Sequence, residues 1–172
     1  MNGTFEYVRA EDVAAAVGLV SSDPEAQYLA GGTTQIDLIL KDRVLNPERL
    51  VDITRLPLRG ITLRGDALVV GALTTMEELA AHPVLDERAA FVREALLAGA
   101  STQLRNMATI GGNLLQRTRC RYFRDPSVAA CNKRTPGSGC AAITGPARMH
   151  AILGASAPVS YTHLTLPTIY SV

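Results

Sequence analysis

Three cysteines lie close together in the sequence, at positions 120, 131 and 140. The segments between them contain glycine, proline and basic residues, which favour loops rather than helices or strands. An odd number of cysteines does not complete a set of disulfides, and structural zinc sites generally use a tight pair of cysteines that is absent here. Iron–sulfur clusters accept thiolates at more varied spacing. We therefore predict that Cys120, Cys131 and Cys140 bind a metal or a cluster.

The cysteines belong to a strongly basic stretch. From Arg105 to Arg134 there are seven basic residues and one acid, whereas the whole chain has a net charge of +1. These cations would stabilise the negative charge of a four-cysteine 4Fe-4S centre. Two alternatives are a solvated basic loop with buried thiols and an RNA-binding surface that stacks bases on Tyr122 and Phe123. The near-neutral overall charge predicts neither nucleic acid nor an anionic membrane as a partner.

Two pairs of glycines form a second group of candidate binding residues. Residues 31–35 read GGTTQ and lie between a predicted strand and a predicted helix, where backbone amides can bind an anion. The motif is neither a Walker A loop nor a Rossmann fingerprint, and an ordinary tight turn is the alternative. Residues 109–114 read TIGGNL. Two such turns, each flanked by threonine and an amide side chain, favour one extended phosphate-containing ligand held at two points.

The histidines do not form a ligand set. We predict that His82 caps a helix end beside a proline and that His150 packs near the cysteines, while His163 lies in a divergent tail. No serine or cysteine has a recognisable base partner, so nucleophilic hydrolysis is not indicated.

The elements that must position these residues are of mixed type. With 172 residues, 47% apolar and 19% charged, the chain is typical of one globular domain or part of a larger one. Alternation predicts strands at residues 4–8, 26–30 and 50–53 and a hairpin over 61–70. Helices are predicted at residues 11–21 with Val13, Val17 and Val20 on the apolar face, around 36–40, from a Thr75–Glu78 capping box to Pro83, and over 89–99. The order indicates an α+β fold rather than regular βαβ units.

The C-terminal residues differ from the rest. Residues 159–168 read VSYTHLTLPT, which resembles a translated adaptor of transposase-based sequencing libraries. We expect the native sequence to end near Ala157 or Pro158, residues 159–172 to be a non-native tail, and the natural gene to continue. The alternative is a threonine-rich terminal strand. The stretch is too polar for a membrane span, and the N-terminus has no signal peptide pattern.

Several short motifs together resemble one known family. They are residues 30–33 (AGGT), 104–106 (LRN), 109–114 (TIGGNL), 120–123 (CRYF), 131–134 (CNKR) and 137–140 (GSGC). In this combination they resemble the FAD-binding medium subunit of xanthine dehydrogenase-type molybdenum hydroxylases. The likeness is to the bacterial aldehyde oxidoreductase branch, whose FAD subunit also holds a 4Fe-4S cluster. It covers residues 1 to about 157.

The resemblance implies an α+β fold that is the N-terminal part of a two-lobed FAD-binding domain of the vanillyl-alcohol-oxidase (PCMH) type, with a cysteine-containing loop insert. The incomplete domain would span 1–158, with a first lobe at 1–57 and the start of a second at 58–158 that contains a cluster loop at 117–145. The FAD-binding residues implied are Leu29, Ala30, Gly31, Gly32, Thr33, Thr34, Gln35, Thr109, Gly112 and Asn113. Cys120, Cys131 and Cys140 would be three of the four cluster ligands, and the fourth position would fall at Val159.

The implied function is electron transfer from iron–sulfur clusters through FAD to an external acceptor. The implied partners are a molybdenum-cofactor large subunit and a 2Fe-2S small subunit, and no residue of this chain is expected to act as a catalytic acid or base. The truncated chain alone would be inactive. Alternatives are a non-catalytic scaffold module with a cysteine-rich docking loop and a stand-alone flavin reductase. The expected location is the cytoplasm, or the periplasm by export together with a signal-bearing partner.

Overall fold

The computed structural model describes residues 4–150. Residues 1–3 and 151–172 lie outside the described part of the chain. The expected non-native tail, the possible terminal strand, Val159 and His163 therefore all fall outside the described residues.

The first part of the chain forms a three-stranded parallel sheet. Strands β1 (Glu6–Arg9) and β2 (Ala26–Leu29) each pair with β3 (Arg49–Asp52), in the order β1-β3-β2. Helix α1 (Val13–Ser21) connects β1 to β2, because parallel strands require a crossover connection. The chain as a whole mixes helix and strand as predicted, but the expectation that it lacks βαβ order is wrong for this part. Alternation within a short strand does not reveal which strand it will pair with.

Helix α1 is present as predicted, and Val20 of its predicted apolar face packs against the core, but Val13 and Val17 do not. Val13 and Val17 are 43% and 52% exposed, whereas Ala16 is 3% exposed and packs in the core with Val51. Asp12 caps the helix by accepting a hydrogen bond from the N–H of Ala15 at 2.7 Å. Apolar residues occur all around this helix, so spacing alone could not identify the face. The small side chain of Ala16 allows the helix to approach the sheet closely.

A hairpin and five short helices follow. Strands β4 (Ile61–Arg64) and β5 (Ala67–Val70) are antiparallel and turn at Gly65, as predicted. The helices are α2 (Met76–Ala80), α3 (Pro83–Arg88), α4 (Ala90–Ala98), α5 (Thr102–Met107) and α6 (Ile110–Leu114). Helix α2 begins with the predicted capping box. His82 does cap a helix, but it caps the start of α3 by accepting from the N–H of Val84, rather than the end of the helix before Pro83.

Three buried clusters hold these elements together. One lies between the sheet and α1 and a second among α2, α3 and α4, where Met76, Leu79 and Leu96 are buried. The third joins residues distant in sequence, namely Leu38, Phe123 and Cys131. Phe123 lies on a last helical turn, α7 (Arg121–Arg124). Within residues 4–150 no helix has the length and apolar character that crossing a lipid bilayer requires.

Candidate flavin and cysteine sites

The first glycine loop, residues 30–34, follows the C-terminal end of β2. Gly32 has a φ of 70°, a conformation that glycine adopts without strain. The carbonyls of Gly32 and Thr34 accept hydrogen bonds from Ile36 and Leu38 at 3.0 and 3.1 Å. In contrast, the N–H groups of residues 31–34 have no acceptor within the described residues. The loop thus presents successive amide donors at the start of a helical turn, an arrangement that suits an anion.

The two residues that flank this loop have other partners. Leu29 ends β2, and its carbonyl accepts from the N–H of Ile53 at 3.0 Å. The Gln35 amide donates to the Gln27 side chain at 3.1 Å. After Gln35 the backbone widens into a π-helical turn, Asp37–Lys41, where a short α-helix was predicted.

The second glycine loop is a short helix rather than an open turn. Thr109 caps α6, and its hydroxyl accepts from the N–H of Gly112 at 3.2 Å. The Asn113 amide lies 3.7 Å from the sulfur of Met76. The N–H of Ile110 donates to the carbonyl of Thr74 at 2.8 Å, and this bond holds α6 beside the residues that lead into α2. Thr109, Gly112 and Asn113 are therefore fixed on one short element.

The first glycine loop packs against the residues that lead into the second one. A Cβ atom at Gly31 would lie 1.9 Å from the carbonyl oxygen of Met107, so only glycine fits there. Met107 ends α5 and precedes Ala108, whose carbonyl accepts from Met76 at 2.8 Å. The sequence indicated both glycine loops, but the Met107 contact had no sequence signal because it depends on tertiary packing.

The three cysteines line one small pocket, together with Tyr122 and Phe123. Cys131 and Cys140 face each other across an antiparallel bridge. None of the three is in a disulfide. The structure thus brings the predicted ligands together on loops.

Cys120 lies within hydrogen-bonding distance of a histidine and of two backbone amides. Its sulfur lies 3.1 Å from Nε2 of His150, which confirms the predicted placement of that histidine, and it accepts from the amides of Phe123 and Tyr122. Burial raises the pKa of the Cys120 thiol, and the nearby Cys131 and Cys140 raise it further, while the amide donors oppose the rise. Without a bound cation this thiol is therefore protonated at neutral pH.

The described residues contain no group of three or more His, Cys, Asp and Glu that could hold one metal ion. An iron–sulfur cluster has a different requirement, since each thiolate binds a separate iron atom and the sulfurs stand farther apart.

The basic residues around the cysteines build the loop itself. The Arg134 guanidinium donates to three backbone carbonyls, including that of Phe123 at 2.6 Å. Arg117 lies over the Phe123 ring at 5.1 Å and donates to the carbonyl of Lys133. Arg124 pairs with Asp42 at 2.6 Å. These contacts place much of the local positive charge in structural roles, which weakens the interpretation of a solvated basic loop.

A buried carboxylate that the sequence analysis did not single out lies near the end of β2. Asp52 accepts from the side chain and the amide of Thr54 at 2.6 and 2.8 Å, from Arg9 at 2.9 Å and from the Tyr7 hydroxyl. Burial alone would raise the pKa of Asp52, but these hydrogen bonds outweigh it and hold the pKa well below its usual range. Asp52 is level with Leu29 in the sheet, so it stabilises the edge from which the first glycine loop emerges.

Comparison with known proteins identifies the family. A model of the FAD binding domain in molybdopterin dehydrogenase matches residues 3–152. The chain belongs to this family. This confirms the resemblance read from the motifs and confirms FAD binding as the family property. It favours the oxidoreductase subunit over the scaffold module.

The molybdopterin dehydrogenase relatives include several named enzymes. The aldehyde oxidoreductase FAD-binding subunit PaoB of Escherichia coli (strain K12) is 46% identical over 160 residues, which are 92% of this chain and 50% of that protein. The carbon monoxide dehydrogenase medium chain of Hydrogenophaga pseudoflava is 38% identical over 112 residues, 64% of this chain and 39% of that protein. The chain therefore spans half or less of the length of these relatives.

Solved structures agree with this assignment of the FAD-binding fold. Reconstituted CO dehydrogenase from Oligotropha carboxidovorans matches with a TM-score of 0.62 and 39% identity, over 66% of this chain and 40% of that chain. Quinoline 2-oxidoreductase from Pseudomonas putida 86 matches with a TM-score of 0.61 and 28% identity, over 64% and 39%. The individual flavin contacts and the cysteine ligands stay predictions.

Proposed function

We propose that this chain is part of the FAD-binding, electron-transfer subunit of a molybdenum-containing aldehyde or xanthine-type oxidoreductase. It would pass electrons from iron–sulfur clusters through FAD to an external acceptor. A molybdenum-cofactor large subunit and a 2Fe-2S small subunit would be its partners. The name of the 46% identical relative, an aldehyde oxidoreductase subunit, supports the substrate class.

The observation that carries the flavin proposal is the run of amide donors in residues 31–34, beside the second glycine loop. These amides would bind the FAD pyrophosphate, and Thr109, Gly112 and Asn113 would complete the site. The flavin would supply the electron chemistry, while this chain binds and orients it. No side chain is needed as an acid or base. We further propose the two-lobed PCMH-type arrangement, with lobes at 1–57 and 58–158.

We propose that Cys120, Cys131 and Cys140 ligate a 4Fe-4S cluster. Three thiols that share one cavity, with amide donors directed at Cys120, suit such a cluster. The alignment with the aldehyde oxidoreductase subunit covers 92% of this chain. The unaligned part is shorter than the loop at 117–145, so the alignment includes at least part of that loop. The alignment with the carbon monoxide dehydrogenase medium chain covers a smaller share, 64% of this chain. A cation at the cavity would also offset the raised pKa of the Cys120 thiol.

The flavin proposal is tested by Gly32→Val in the full-length protein. A β-branched residue is strained at a φ of 70°, and its side chain would meet Leu29 and Ile36 within the proposed binding loop. We expect loss of FAD binding, measured by quenching of flavin fluorescence. Gly65→Val is the matched control, because Gly65 also has a positive φ but has open space around it. Equal FAD affinity in the two variants would refute the loop assignment.

A further inference from the structure

We propose that the cysteine loop, residues 117–145, positions the first glycine loop by docking on residues 37–42, so that a filled cysteine site and bound FAD strengthen each other. This inference rests on the proposed flavin and cluster sites. Asp42 and Arg124 act in it as positioning residues, since neither belongs to the proposed cofactor contacts. Two contacts and one backbone feature of the described residues support the docking.

The first contact is a shared hydrophobic cluster. Leu38 is buried together with Phe123 and Cys131, and Val44 and Cys120 pack against them. The N–H of Leu38 donates to the carbonyl of Thr34 at 3.1 Å. Leu38 is thus tied to the first glycine loop through its backbone and to a proposed cluster ligand through its side chain.

The second contact is an ion pair between residues 82 positions apart. Nη1 of Arg124 lies 2.6 Å from Oδ2 of Asp42, and the two side chains are 19% and 14% exposed. Salt screens such a sheltered pair less than a surface pair. Arg124 ends α7, which begins directly after Cys120. The pair therefore ties the cysteine loop to the residue that follows the π-helical turn.

The third feature is the π-helical turn itself, Asp37–Lys41. A π-helical turn is uncommon and is frequently found at functional sites. The turn is closed by a hydrogen bond from the N–H of Asp42 to the carbonyl of Asp37, the first residue of the turn, at 2.9 Å. The cysteine loop thus contacts this turn at Leu38 and just beyond its end at Asp42. Ordering the loop around a cluster would fix the turn, and with it the amides of residues 31–34.

The energetic consequence is reciprocal. A protein segment that is already ordered costs less free energy to bind its ligand. If the cluster raises the FAD affinity, then FAD must raise the cluster affinity by the same factor. Coupling of this type typically amounts to a factor of about 5 or more.

The experiment measures the dissociation constant of FAD for the full-length protein, with all four cysteine ligand positions present, before and after anaerobic reconstitution with iron and sulfide. We expect the reconstituted chain to bind FAD about fivefold more tightly or better. Arg124→Gln and Asp42→Asn should each weaken FAD binding and reduce that difference, and their effects should not add in the double variant. Arg88→Gln is the matched control, because its pair with Asp66 is exposed.

The possible outcomes distinguish failure of this inference from failure of the proposed flavin site or the proposed cluster site. An FAD dissociation constant that is insensitive to iron, Arg124 and Asp42 overturns the inference while leaving both sites intact. Variants that unfold more easily but bind FAD normally when folded also overturn it. A parent chain that binds FAD but no iron refutes the cluster, and non-additive weakening by the two variants then still supports the positioning role. A parent chain that binds no FAD refutes the flavin site and this inference with it.

Discussion

The backbone of Gly31 packs directly against the carbonyl oxygen of Met107, which leaves no space for a side chain at position 31. This contact joins the end of β2 to the end of α5. It brings the amide donors of residues 31–34 to the residues that lead into Thr109. One missing side chain thus allows the two proposed flavin-binding loops to share a site.

Gly31→Ala should destabilise the protein and weaken FAD binding together, because the new methyl group would force the two backbones apart. We expect a loss of about 2 kcal/mol or more in the free energy of unfolding, the usual size for overpacking. Urea denaturation followed by circular dichroism measures it. Gly18→Ala is the control. Gly18 lies in α1 with open space around it, so alanine should stabilise by up to about 1 kcal/mol. Equal stability of Gly31→Ala and the parent would contradict the close contact.

Asp52→Asn should lower stability at neutral pH by about 2 kcal/mol, the typical value for hydrogen bonds to a charged group. The pKa of Asp52 is lower in the folded protein than in the unfolded chain. Its contribution is therefore complete above the unfolded pKa of about 3.9 and decreases as the pH falls below that value. Urea denaturation across this range should show the parent and the variant converging in acid. Asp66→Asn, at a fully exposed position, should show no such convergence.

Arg105→Lys should destabilise the helical region even though it keeps the charge. Arg105 is buried and donates to Glu77 at 2.6 Å, to the carbonyls of Leu97 and Ala100 and to Thr102. A lysine ammonium cannot reproduce that fork of donors. We expect a loss of about 2 kcal/mol in thermal or urea unfolding. Arg64→Lys, on the exposed hairpin, is the matched control. Indistinguishable unfolding of the two variants would show that Arg105 contributes only its charge.

Cys131→Ser in the full-length protein, with all four cysteine ligand positions present, should remove iron and spare much of the fold. Serine is nearly the same size as cysteine but is a poor ligand for iron–sulfur clusters. Iron and acid-labile sulfide per chain, measured after reconstitution, report the loss, and circular dichroism reports the fold. Ser127→Ala, on an exposed turn of the same loop, should retain the iron of the parent. Parental iron content in Cys131→Ser would refute the ligand assignment.

The predictable parts of this fold were those encoded by neighbouring residues. The Thr75–Glu78 capping box, the hairpin at Gly65 and the cap at His82 each depend on a few adjacent side chains, and each is present. Helices α3, α5, α6 and α7 were not predicted, because they are too short to show an apolar period.

In the candidate site, too, the features encoded by neighbouring residues were predictable and those that depend on tertiary packing were not. The glycine loops and the cysteines could be identified from residue types, whereas their supports could not. Neither the Arg124–Asp42 pair nor the packing of Leu38 on Phe123 has a local signature, since each joins residues far apart in the chain. The same holds for the parallel pairing of β1 with β3, which depends on the path of the intervening chain.

The strand order β1-β3-β2 has a consequence for synthesis on the ribosome. The central strand is the last of the three to be made, and β1 and β2 do not pair with each other. A nascent chain that ends before Arg49 therefore holds two strands without a partner, and the sheet forms only after β3 leaves the exit tunnel. Until then, the edges of both strands are open to a chaperone or to another nascent chain.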